Sequence, residues 1–121
     1  MTKFKSQGFG NTFKNARKGF RLVLKSEMNI RIHIVIAILV MILAYVLDFS
    51  ALEICIALFA IALVIVSEML NSAIEFTLDS VYHNRYSRMV GMAKDISAGA
   101  VMFASIIAVV IGVILFGKHL L

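Results

Sequence analysis

Residues 52–79 read LEICIALFAIALVIVSEMLNSAIEFTLD. From Ile54 to Val66 the stretch holds no charged side chain and nothing more polar than the thiol of Cys55. At about 1.5 Å per residue, a helix over 52–74 reaches roughly 35 Å, enough to cross a hydrocarbon core of about 30 Å. The same run then turns polar on one side only. At about 100° per residue, Glu68, Asn71, Glu75 and Asp79 fall within about 80° of one another, a single polar stripe on an apolar helix.

Two more apolar blocks flank this one, over 30–47 and 96–116, and each is long enough to span once. The whole chain of 121 residues is 61% hydrophobic, lacks proline and tryptophan, and has a mean hydropathy of +0.95. A soluble fold this small buries only about 60 to 70% of its surface, so lipid must cover the remainder. The expected fold class is therefore an all-α integral membrane protein, a single membrane domain over 1–121 with three transmembrane helices. The first block starts late and lacks a following small-residue cleavage site, so no removable leader is expected. Cys55 stands alone, which excludes an intrachain disulfide and leaves it as a packing or lipid-facing hydrophobe.

Charge sets the expected orientation. Residues 1–31 carry Lys3, Lys5, Lys14, Arg17, Lys18, Arg21, Lys25 and Arg31, and the second connection carries Arg85, Arg88 and Lys94. The opposite side has Lys118 alone, beside the acids Asp48 and Glu53 of the first turn. Positive residues stay inside, so the N-terminus and the second connection are expected on the cytoplasmic side of the membrane. The first connection is too short for anything but a tight hairpin. The second, about twenty residues from Glu75 to Asp95, is expected as a polar loop.

Phe9, Phe13, Ala16, Phe20 and Leu24 recur at helical steps, with Lys14, Arg17, Lys18, Arg21 and Lys25 filling the other side. This pattern predicts an amphipathic helix over 9–26 lying in the interface, its cations near anionic headgroups. The partner it implies is the lipid bilayer, not nucleic acid. Gly8 and Gly10 have neither the spacing nor the Lys-Ser/Thr of a phosphate loop and are expected as a flexible lead-in.

An ionisable residue inside the bilayer is costly, so Glu68 implies a partner or a task. Glu27 precedes the first span and the Lys94–Asp95 pair precedes the third, so three helices bring acids to the level where the stripe emerges. Clustered carboxylates repel unless a cation sits between them, and hard oxygen donors favour Mg²⁺ shared with substrate phosphates. Ala100, Ala104, Ala108 and Gly112 recur every four residues, a seam for close helix packing and self-association. His33, one turn into the first span, is expected as a polar residue at headgroup level and not as a ligand.

The run Glu68-Met-Leu-Asn71-Ser-Ala73-Ile-Glu75, with Ala93-Lys94-Asp95 downstream and Glu27-Met-Asn-Ile-Arg-Ile-His33 upstream, resembles the prokaryotic diacylglycerol kinase and undecaprenol kinase family. The resemblance covers nearly the whole chain in order. It implies a homotrimer with sites at subunit boundaries, Mg²⁺ as cofactor and ATP as co-substrate. It further implies Glu68 as catalytic base, Glu27 and Glu75 as metal ligands, and Asn71, Lys94 and Asp95 around the nucleotide. The activity implied is phosphoryl transfer from MgATP to a membrane lipid alcohol. Asn29-x-Arg31-Ile32-His33 and Ala98-Gly99-Ala100-Val101 are closer to the undecaprenol kinases; diacylglycerol is the alternative substrate. Tyr86-Ser87-Arg88 departs from the Tyr-His-Pro found in the cytoplasmic loop of many members. Two other classes remain open on the residues alone: a small proton-coupled transporter built on an intramembrane glutamate, and a pore-forming bundle in which the acids are incidental.

Overall fold

The computed structural model describes residues 8–83 and 85–121. Lys3 and Lys5, part of the N-terminal cation count, lie outside the described residues. Those described form four helices, α1 (Phe9–Ser26), α2 (Met28–Val46), α3 (Ala51–Tyr82) and α4 (Arg88–Leu120), with no strand among them.

Gly8 is the extended residue before α1, and Gly10 already lies inside the helix. The expected glycine lead-in thus shrinks to residue 8, because one helical glycine costs only about 1 kcal/mol and the Phe stripe begins at once. Phe9 and Phe13 are exposed, so the apolar face of α1 is free to sit in the acyl boundary. Glu27 alone separates α1 from α2: its N–H donates to the Val23 carbonyl at 3.0 Å. Arg31 then donates to the carbonyls of Leu24 and Lys25, each at 2.9 Å, satisfying groups that the end of α1 leaves open.

Between α2 and α3 the chain reverses through Asp48, whose φ of 58° is left-handed. Ser50 and Glu53 form a capping box, Ser50 Oγ accepting from the Glu53 N–H at 3.2 Å and Glu53 Oε1 accepting from the Ser50 N–H at 2.9 Å. Glu53 therefore belongs to the first turn of α3. Around it Lys118 Nζ lies at 3.3 Å from Oε2, and His119 Nε2 at 3.0 Å from both oxygens. Phe49 stacks on His119 with centroids 4.4 Å apart and tilts against Phe116 at 4.8 Å. Beneath this lid Ala44, Phe49, Ala57 and Leu115 form the buried cluster that joins the three long helices at this end.

The second connection is far shorter than the expected polar loop. Helix α3 continues past Glu75 to Tyr82 and ends only where His83 turns left-handed at φ 51°; α4 begins at Arg88 behind Ser87, whose Oγ accepts from the Val90 N–H at 3.1 Å. Polarity marks where the lipid stops, but it does not stop a helix, and no Gly or Pro interrupts 75–82.

Helices α2, α3 and α4 are each long and apolar enough to cross a bilayer. Their outer faces carry Leu52, Phe59, Phe103 and Val113, all well exposed, and the lone Cys55 is exposed with them. Apolar exposure on this scale belongs in lipid, and the protein is a multi-pass membrane protein. The small-residue seam of α4 has one buried member, Ala104, while Ala108 and Gly112 line an apolar cavity of about 380 Å³ between α2, α3 and α4.

Candidate functional site

The three long helices also line a smaller, polar, partly open cavity of about 190 Å³ at the end opposite the Glu53 cluster. Helix α3 sends Glu68, Asn71 and Ser72 into it; Glu27 and Asn29 enter from the start of α2, and Ala98 and Val101 of α4 form the far wall. These α3 residues share a face because they are three and four apart, and the bulk of α3 below them is apolar.

Glu68 is only 8% exposed. Its Oε1 stands 3.0 Å from Nε2 of His33, while its Oε2 is buried with no hydrogen-bond partner. One turn on, Asn71 Nδ2 donates to Glu75 Oε1 at 3.3 Å, and Asn71 Oδ1 is likewise buried without a partner. Buried acceptors left open cost about 1–3 kcal/mol each, and two of them one turn apart on α3 are relieved by any donor that reaches them.

The remaining stripe residue, Asp79, lies further along α3 and pairs with α4: Lys94 Nζ donates to Asp79 Oδ1 at 2.8 Å. Both partners are more than a third exposed, so water screens this pair strongly. Asp95, next to Lys94, is exposed and lines neither cavity. Within one chain, then, Glu27, Glu68 and Asn71 share a cavity, Glu75 joins through Asn71, and Lys94 reaches α3 through Asp79.

His33 corrects an expectation. It does not idle at headgroup level but contacts the buried carboxylate, and its ring also lines the apolar cavity. The signal was present in the sequence: a histidine within an apolar span needs a partner for the same reason that Glu68 does. Asn29 and Ser72 were missed because a small polar residue is common in any helix. Only the crossing of α2 and α3 gives them a place.

Among the described residues no three His, Cys, Asp or Glu side chains form a closed metal cage. Mg²⁺ asks for less, since it takes one or two carboxylates and completes its shell with phosphates and water. Glu27 on the cavity and Glu75 beside Asn71 offer such donors, all oxygen and no sulfur.

The profile of the prokaryotic diacylglycerol kinase family matches residues 14–116, which takes in α2, α3, nearly all of α4 and every residue of this site. The chain belongs to the prokaryotic diacylglycerol kinase family, a family of lipid kinases. It is 34% identical to the diacylglycerol kinase of Escherichia coli strain K12 over 102 residues, 84% of this chain and 83% of that protein. Against the undecaprenol kinase of Bacillus subtilis it is 31% identical over 108 residues, 89% of this chain and 87% of the other. A Synechocystis diacylglycerol kinase is 32% identical over 101 residues, and there the match spans 58% of the relative's length. These diacylglycerol kinase family relatives carry two names, and both name a lipid with a free hydroxyl.

Proposed function

We propose that this protein transfers the terminal phosphoryl group of MgATP to the hydroxyl of a membrane lipid alcohol, undecaprenol, at the cytoplasmic face of a bacterial inner membrane. The observation that carries the reading is Glu68: a buried carboxylate on the wall of a polar cavity, with one oxygen beside His33 and the other buried without a partner. A lipid hydroxyl arriving there gives its proton to Glu68 Oε2 as its oxygen attacks the terminal phosphorus, and ADP leaves. Glu27 and Glu75 would hold the Mg²⁺ that, when bound, offsets charge on the triphosphate. Asn71, whose side-chain carbonyl oxygen is buried without a partner, lines the same cavity, and Lys94 supplies positive charge at the start of α4. The apolar cavity reached past His33 suits the hydrocarbon of such a substrate, which diffuses in sideways without leaving the bilayer. Asp95, exposed in the single chain, is assigned to the nucleotide side of the site, completed across a subunit boundary in a homotrimer. The N-terminus and the 83–87 connection lie in the cytoplasm, as their cations require.

Undecaprenol is favoured by the Asn29-x-Arg31-Ile32-His33 and Ala98-Gly99-Ala100-Val101 runs. The E. coli and Synechocystis relatives favour the second reading, diacylglycerol. The deciding experiment offers both alcohols side by side to the purified protein in mixed micelles, with labelled ATP and with or without Mg²⁺. Label should enter the undecaprenol fraction only when the cation is present. Label in diacylglycerol alone overturns the substrate, and label in neither lipid overturns the kinase.

A further inference from the structure

His33 links the two cavities: it lines the apolar one, and its Nε2 lies 3.0 Å from the carboxylate of Glu68, a residue that lines the polar one. A carboxylate turns easily about its last torsion, which is broad and two-fold, so a buried glutamate with no fixed neighbour presents either oxygen in many directions. Here Oε1 is engaged and Oε2 is not. From these contacts we propose that His33 is a positioning residue for the transfer: by holding Oε1 it leaves Oε2 as the single oxygen that accepts the substrate's proton.

The placement has a physical basis on both helices. Ile30, one turn before His33, is 1% exposed and anchors that face of α2 against α3. Glu68 lies on the buried face of α3, with the buried Val64 and Ser72 one turn away in either direction. The imidazole and the carboxylate thus meet between two packed backbones, and the geometry of the pair is set before substrate enters. Loss of such orientation shows in the rate more than in binding, because the bound substrate then faces an acceptor that points elsewhere.

The inference rests on Glu68 as the base, so the test includes that residue. Full-length His33→Leu, His33→Gln and Glu68→Gln proteins are assayed in mixed micelles with ATP and undecaprenol, recording kcat, both KM values and oligomer size. His33→Leu, apolar and of similar bulk, should lower kcat about 10- to 100-fold while both KM values stay within about twofold. His33→Gln, whose terminal amide N–H reaches about as far as Nε2, should recover most of that loss. A kcat within about threefold of the parent in His33→Leu, a loss confined to KM, or a Gln variant no better than Leu overturns the proposal. If His33→Leu fails to assemble, His33→Asn carries the comparison: it is polar but too short, so low turnover supports the inference and turnover equal to Gln refutes it. Parental turnover in Glu68→Gln sinks the underlying reading of Glu68 as base. An inactive Glu68→Gln beside an intact His33→Leu sinks only the role of His33.

Discussion

Replacing Glu68 by Gln should uncouple catalysis from folding, and in opposite directions. The substitution keeps shape and volume, and the amide oxygen can still face Nε2 of His33, which lies 3.0 Å from Oε1 in the parent. What vanishes is a proton acceptor. Removing a positioned general base lowers turnover by about 10²- to 10⁴-fold, or about 3–5 kcal/mol of barrier. Stability should not follow. The parent buries Oε2 with no partner, at about 1–3 kcal/mol, and a neutral amide in the same place is cheaper to bury than a carboxylate. The assay pairs initial rates of phosphoryl transfer into extractable lipid with thermal melting of the detergent-solubilised protein. The expected result is a variant that melts no lower than the parent and turns over at least a hundredfold more slowly, the lower bound for a lost base. Turnover within tenfold of the parent would falsify the role of Glu68. So would a loss that merely tracks a lowered melting temperature, since the residue would then be structural.

Three further outcomes follow from particular contacts. Asp79→Asn removes the acceptor of the Lys94 pair, but both partners are more than a third exposed, so melting should move by no more than about a degree or two; a larger fall would mean the pair is buried in the assembled protein. Gly91→Ala adds a Cβ 3.0 Å from the ring of Tyr86, whose exposed side chain can swing aside, so the helical gain of about 0.5–1 kcal/mol should win and the variant should resist heat better. Ala108→Leu projects into the apolar cavity and should raise the KM for the lipid alcohol severalfold without changing the KM for ATP, as read from rates against the lipid mole fraction in micelles. Unchanged lipid KM would place the substrate's hydrocarbon elsewhere.

Period and length carried the fold. Three apolar blocks and one amphipathic stripe are one-dimensional patterns, and each corresponds to a helix. Polarity along a chain reports where lipid ends, and it misleads where the question is backbone geometry. Residues 75–82 are polar enough to leave the lipid, yet they stay helical until the left-handed turn at His83. Within the site, Glu68 and Asn71 stood out because an acid and an amide in an apolar helix are expensive. His33 did not, because its cost is relieved by a residue thirty-five positions away. Lys94 stood out as a candidate, but its pairing was hidden, because its partner Asp79 lies across the turn between α3 and α4. Spacing along one helix is legible in a sequence; pairing between helices needs the crossing that only the folded chain defines.

The two ends of the bundle show why the chemistry belongs at one of them. Glu53 and Glu68 sit on the same helix, fifteen residues and therefore about 22 Å apart, and both are 8% exposed. At Glu53 every acceptor is engaged: Oε1 meets the Ser50 N–H and His119, and Oε2 meets Lys118 and His119. A carboxylate so saturated fixes the hairpin and the C-terminal end of α4, and it has no capacity left for a substrate. At Glu68 one oxygen is held and its twin is left bare, with a second bare acceptor on Asn71 one turn away. Burying an unmet acceptor destabilises the chain, and it is tolerable where a transient donor completes it. On the proposed reading the same residue type serves as a clasp at one end of the bundle and as a reagent at the other, and hydrogen-bond satisfaction, more than burial, distinguishes the two roles.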